Sequence, residues 1–214
     1  MVGTVEQKLA AQGIVLHEAP SPVANYVGFV RTGNLLFISG QVCFDPQGKL
    51  IAKGKLGAGV TVEQGNAAAR GCAINLLAQV KAAVGDLDKV VRVVRLGGFV
   101  NSAPDFLDGP KVLNGASDLM VAAFGDKGRH ARTTVGVASL PADAAVEVEG
   151  VFEDAAEGLG ACPVPCGHGQ PPTLRPAPVA VHDDGDVLAG GAARRGLGDA
   201  AGAAQSPARQ PGPP

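Results

Sequence analysis

The chain has 214 residues, and all eight of its aromatic residues and all eight lysines lie within residues 1–153; residues 154–214 hold 11 Gly, 10 Pro and 13 Ala, with nothing large to bury in a core. Lys and Arg balance Asp and Glu at 14 each in residues 1–153, and four Arg against six acids in the rest give the whole-chain charge of −2. These figures exclude a packed second domain and argue against a broad phosphate-neutralising surface, so the expectation is one folded domain over residues 1–153, a disordered Ala/Gly/Pro-rich tail over 154–214, and no nucleic-acid partner.

No stretch approaches about 18 uninterrupted apolar residues, and the start, Met1 to Leu9, has no basic segment followed by an apolar run. A cytoplasmic protein without membrane contact is expected. Cys43 and Cys72 stand alone in the folded part and read as buried free thiols. Cys162, Cys166 and His168 offer three candidate ligands in the tail; a fourth would have to come from the same Gly- and Pro-rich segment, so no metal is expected.

In chain order, Thr4 followed by Val5, Leu9 and Ala10, with Gly13 as the stop, predicts a short helix with Thr4 as its cap. Pro20 and Pro22 impose an extended segment up to Tyr26. The apolar runs Tyr26–Val30 and Leu35–Ser39, separated by Arg31-Thr32-Gly33-Asn34, predict a β-hairpin. After the turn Asp45-Pro46-Gln47-Gly48, residues 49–59 read as a loop with a short strand at most.

Thr61-Val62-Glu63-Gln64 has the form of a capping box and opens an apolar-periodic helix that ends at Gly85. Leu87–Val100 predicts a strand, in which Gly97-Gly98 suggests a bulge or a close backbone approach. Pro110 starts a second long helix ending at Gly125, and strands follow at Thr133–Ala138 and Val146–Phe152. In the last of these, strict alternation puts Val146 and Val148 on one face and Glu147 and Glu149 on the other. The order α, β-hairpin, α, β, α, β, β is satisfied by an α+β fold with two long helices on one face of a mixed sheet.

If the last two strands neighbour one another, Arg132 and Glu147 could converge, the arginine reading a carboxylate through its planar fork and the glutamate positioning water. On spacing alone, both read more readily as surface residues. His130 reads as a surface histidine, with a place at the mouth of a cleft beside Arg132 as the alternative; Tyr26 reads as either a core residue or a pocket wall, and Ser39 lacks the His and Asp partners of a nucleophile.

The segments G-N-x-x-x-x-S-G-Q, here Gly33 to Gln41, and R-x-x-x-x-V-x-x-L-P-x-x-x-x-V-E-V-E, here Arg132 to Glu149, resemble the RidA (YjgF) family in order and spacing, as do Tyr26, Asn114 and the helix from Thr61. The resemblance runs from about Ala19 to Glu153. It implies a chorismate-mutase-like fold, a homotrimer with sites between subunits, and hydrolysis of reactive enamines and imines such as 2-aminoacrylate to 2-keto acids and ammonia, without metal or organic cofactor. It further implies that Arg132 clamps the substrate carboxylate, that Glu147 orients water, and that Tyr26, Ser39 and Asn114 line the pocket. The chain departs from the deaminase pattern at Thr134, Gly136 and Ser117, where that branch commonly carries Cys, Glu and an aromatic, and in reading Ala24-Asn25-Tyr26 for Gly-Pro-Tyr. Two alternatives follow: a non-catalytic trimer that binds a keto or amino acid, and a ribonuclease, which the neutral charge fits poorly.

Overall fold

A computed structural model of the chain describes residues 3–22 and 24–155. Cys162, Cys166 and His168, and all of the Gly- and Pro-rich segment beyond Ala155, lie outside the described residues.

The first helix, α1 (Thr4–Ala11), starts one residue earlier than expected. Thr4 is its first helical residue, and the cap comes from elsewhere in the chain: Asp88 accepts from Thr4 N–H at 2.7 Å and from Val5 N–H at 2.9 Å. The hairpin of β1 (Phe29–Thr32) and β2 (Leu35–Val42) turns on Gly33-Asn34, with Gly33 at φ +57°, where a side chain is disfavoured. Residues 49–59 contribute β3 (Lys55–Leu56), which pairs in parallel with β4 (Gly59–Val60).

The capping box at Thr61 forms in full, its side chain taking the Gln64 N–H while the Gln64 side chain takes the Thr61 N–H, and it opens α2 (Val62–Val84). A single 3-10 turn, Leu87–Lys89, then leads into β5 (Val90–Asn101). The second long helix is α3 (Gly109–Phe124), followed by β6 (Ala131–Val137) and β7 (Val146–Asp154). The predicted strands at 133–138 and 146–152 each shift or lengthen by one or two residues.

The main sheet runs β1-β2-β7-β5-β6, antiparallel except for the parallel pair β5 and β6. Helices α2 and α3 cover one face, where Leu76, Leu77, Leu113, Leu119 and Met120 meet Leu36, Leu96, Val148 and Phe152, all fully buried. Cys43 and Cys72 are both buried and free, and burial pushes the Cys72 thiol well above its ordinary range. On β7 the alternation holds throughout, with Val146, Val148 and Phe152 in the core and Glu147, Glu149 and Glu153 turned the other way.

The two long helices touch backbone to backbone at Gly115. A Cβ there would press into the Asn66 peptide, 2.9 Å from its carbonyl carbon, and backbone atoms of a neighbouring helix yield less readily than a side-chain tip. Gly115→Ala is therefore expected to cost about 2 kcal/mol, read as a lower urea midpoint at unchanged slope. Gly98 is the other close approach, since a Cβ there would run into the Leu113 side chain, 3.0 Å from its Cγ.

Candidate functional site

Two hollows and an exposed edge of the sheet hold the residues singled out from the sequence, and in a single chain they are separate. One hollow, of about 750 Å³, lies at the end of β2 between α2 and the extended segment His17–Pro22. Tyr26 and Glu147 both line it, with Gly40, Asp45 and Pro141. Tyr26 is half exposed, which makes it a wall residue and rules out a core position. Glu147 reaches over Gly40, where any Cβ would collide with its carboxylate. Burial, and then the neighbouring Glu149, push the Glu147 carboxyl above its ordinary range. A carboxyl so placed is suited to accept a proton nearer neutral pH than a solvated glutamate.

The wall of this cavity is built by residues that sequence reasoning missed. Asn75 on α2 donates through Nδ2 to Val42 O and Phe44 O, at 3.0 and 3.1 Å. That fixes its amide and turns Oδ1 to His17 Nε2, 2.8 Å away. One turn further along, Gln79 donates to Pro20 O at 2.8 Å. These two side chains, buried among the apolar residues of α2, tie the His17–Pro22 segment down. Their signal was present as polar residues four apart on an otherwise apolar stripe.

The opposite wall depends on the turn before β7. Ala142 and Asp143 both take positive φ, at 55° and 60°, a strained pair for residues with side chains. Buried Asn101 holds them, donating to Asp143 Oδ1 at 3.1 Å and to Ala144 O at 3.2 Å. Pro141 is thereby placed on the cavity and β7 starts so that Glu147 follows two residues after Ala145.

Arg132 lies elsewhere. It pairs with Leu96, which pairs with Gly150, three residues along β7 from Glu147. With β5 between their strands and an offset of three residues between their rows, Arg132 and Glu147 leave the sheet on opposite faces. The two strands are thus neighbours across β5 only, and one chain does not bring the guanidinium to the carboxylate.

Arg132 turns instead to α3, donating to Asn114 Oδ1 at 2.9 Å, to Ser117 Oγ at 3.1 Å and to Pro110 O at 3.4 Å. His130, expected at the surface, is half-buried behind it. Its Nδ1 faces Gly128 O at 2.6 Å, and a carbonyl only accepts, so Nδ1 bears the hydrogen. Burial lowers the His130 pKa, which keeps the ring neutral and leaves Nε2 to accept from Ser117 Oγ at 3.0 Å. Arg132 therefore stands at the head of a chain of donors that ends on the Gly128 carbonyl. Ser117→Ala is expected to free the guanidinium at the cost of about one hydrogen bond, with the melting temperature changed by about 2 °C or less.

Ser39 lines the second hollow, of about 240 Å³, with Val30, Phe37, Arg95 and Glu149. Its hydroxyl donates to Val27 O at 2.7 Å, a structural bond that leaves it no nucleophilic role. This hollow opens on the sheet face away from the helices, where Val30, Phe37 and Val135 are exposed.

Comparison with known proteins matches residues 6–152 to the family described as "YjgF/chorismate_mutase-like, putative endoribonuclease". The chain is 49% identical over 152 residues to protein TCP17 of Trypanosoma cruzi, covering 71% of this chain and 94% of that protein. It is 34% identical over 139 residues to the RutC family protein y4sK of Sinorhizobium fredii, covering 65% and 94%. Among solved structures, the protein Atu1372 of Agrobacterium tumefaciens, of unknown function, is 45% identical with a TM-score of 0.66, covering 71% of this chain and 94% of that one.

Proposed function

Because the chain belongs to the YjgF/RidA family, we propose that it is a homotrimeric hydrolase of small reactive 2-imino and enamine acids, releasing 2-keto acids and ammonia. The observation that carries this reading is the Glu147 carboxyl, half-buried beside Tyr26 in a cavity of about 750 Å³ and raised above its ordinary pKa by burial. The cavity is acidic: Glu18, Asp45 and Glu147 line it, and among the described residues neither Lys nor Arg does. A substrate carboxylate needs a cation there, and Arg132, exposed at the sheet edge and held by Asn114 and Ser117, supplies it from a neighbouring subunit. The uncovered apolar face carrying Val30, Phe37 and Val135 supports such an assembly, since exposed apolar residues clustered on one sheet face favour burial against another copy.

In this reading the imine carbon is already electrophilic. Glu147 accepts a proton from water as the oxygen attacks that carbon and passes it to the nitrogen; it then carries the carbinolamine hydroxyl proton to the amine, so that collapse to the carbonyl expels ammonia and leaves the carboxylate ionised. No redox partner is required. Light scattering should give a trimer, and purified protein should release 2-keto acid from freshly generated 2-aminoacrylate faster than buffer does; a monomer, or buffer-level release beside an active homologue, overturns the proposal.

The second reading, a non-catalytic trimer that binds a keto or amino acid, draws on Gly136. No carboxylate stands at this position, and a Cβ there would lie 2.6 Å from Ser102 Oγ. Saturable binding of 2-ketobutyrate, lost in Arg132→Ala and without turnover of the imine, would favour it.

A further inference from the structure

Far from the cavity, at the start of α1, three carboxylates converge. Oxygens of Glu6, Asp86 and Asp88 lie within 4.8 Å of one another. Two of the three side chains have assigned structural work. Asp88 spends both oxygens on Thr4 N–H and Val5 N–H, which hold its carboxyl below the ordinary range and keep it ionised. Asp86 uses Oδ1 to accept from Asp88 N–H at 2.9 Å.

Glu6 is different. It is 91% buried, 9% of its surface remaining exposed. Its Oε1 accepts from Leu87 N–H at 3.3 Å and faces Lys81 Nζ at 3.7 Å. Its Oε2 is buried with no hydrogen-bond partner among the described residues. A buried carboxylate oxygen without a partner is costly, and it is costlier beside two further carboxylates. Lys81 stands on the Oε1 side and Lys8 acts on Asp88, so neither answers Oε2.

The space that Oε2 faces is also kept clear. A Cβ on Gly3 would lie 2.6 Å from Glu6 Oε2 and 3.2 Å from Asp88 Oδ2, so a side chain at this position would fill the gap between the carboxylates. Asp86 is half-buried and Asp88 exposed, which leaves an entry from solvent. Oxygen donors of this kind, hard and anionic, with room for water to complete the shell, suit calcium or magnesium.

We propose that Glu6, Asp86 and Asp88 form a binding site for one hard divalent cation that pins α1 to the turn between α2 and β5. The site is independent of the imine chemistry. An ion there would bridge Glu6 on α1 to two carboxylates 80 or more residues away in sequence, tying the N-terminal helix to the core.

The test is isothermal titration of calcium chloride and, separately, magnesium chloride into the full chain after treatment with EDTA, alongside Glu6→Gln and Asp86→Asn. Both amides keep an oxygen to accept the Leu87 and Asp88 N–H groups, so both variants should fold. The wild type is expected to bind one ion per chain with a dissociation constant at or below about 1 mM, and saturating ion should raise its melting temperature by about 3–5 °C. Each variant should weaken binding at least tenfold. No saturable heat up to 10 mM of either salt, or binding that survives in both variants, overturns the proposal. So does a wild type indifferent to cations whose Glu6→Gln variant melts higher in EDTA, since a proton would then be what balances the cluster.

Discussion

Arg132→Ala is expected to lower kcat/KM for 2-aminoacrylate by about 10²–10³-fold, the scale of losing a charge-assisted carboxylate contact in an enclosed cleft. The melting temperature should hold within about 2 °C, because the guanidinium is exposed in the isolated chain and its partners, Asn114 and Ser117, can turn to water. Binding of 2-ketobutyrate should be lost in parallel, which separates a carboxylate clamp from a residue that acts in the chemical step alone. Arg132→Lys should recover little, since an ammonium cannot give two parallel donors to Asn114 and the substrate at once. Full activity in Arg132→Ala would remove the proposed cleft, whatever the oligomeric state.

Glu147 should show the complementary pattern. Glu147→Gln keeps the shape and is expected to lower kcat by about 10²-fold with KM nearly unchanged. In the wild type kcat/KM should rise with pH as the carboxyl ionises, along a limb displaced above the ordinary glutamate range, because burial and Glu149 both raise its pKa. The stability linkage has the opposite slope. A carboxyl that binds its proton more tightly when folded than when unfolded makes the folded state lose stability as pH rises from the ordinary glutamate value through the raised one. Urea midpoints measured across that interval should therefore fall more steeply in the wild type than in Glu147→Gln.

What could be read from the sequence was what neighbouring residues decide among themselves. The Thr61 capping box, the Gly33-Asn34 hairpin and the alternation of Val146 to Glu149 each rest on a few consecutive positions, and each stands in the structure as expected. Elements that depend on distant partners were not legible. Thr4 looked like a cap, yet the cap of α1 is Asp88, 84 residues away. The insertion of β5 between β6 and β7 moved Arg132 and Glu147 to opposite faces, and no spacing rule announces strand order. The cavity wall was hidden for the same reason, since Asn75 and Gln79 acquire meaning only when the His17–Pro22 segment crosses α2. Motif resemblance singled out Tyr26 and Glu147 together because a motif carries the result of folding without its geometry.

The C-terminal limit of the domain offers the sharpest stability prediction. Phe152 is the last aromatic residue and the motif resemblance stops at Glu153, but β7 continues for one residue more. Asp154 is 4% exposed, forms an ion pair with Arg31 of β1, and donates its N–H to Asn34 O at 3.0 Å. Ala155 N–H then reaches Lys89 O at 2.8 Å. Removing one partner of a buried ion pair leaves the other without compensation. Arg31→Ala, which strands the Asp154 carboxylate, is accordingly expected to cost about 3–5 kcal/mol, a fall of roughly 10 °C in melting temperature for a domain of this size. Shortened chains divide the same question at single-residue resolution. A chain ending at Ala155 should melt within about 1 °C of the full protein, whereas one ending at Glu153 should melt several degrees lower, since it lacks the last pairing of β7 and the partner of Arg31. Equal melting of the two shortened chains would mean that the pair contributes nothing, and a large loss in the chain ending at Ala155 would mean that residues 156–214 take part in the fold.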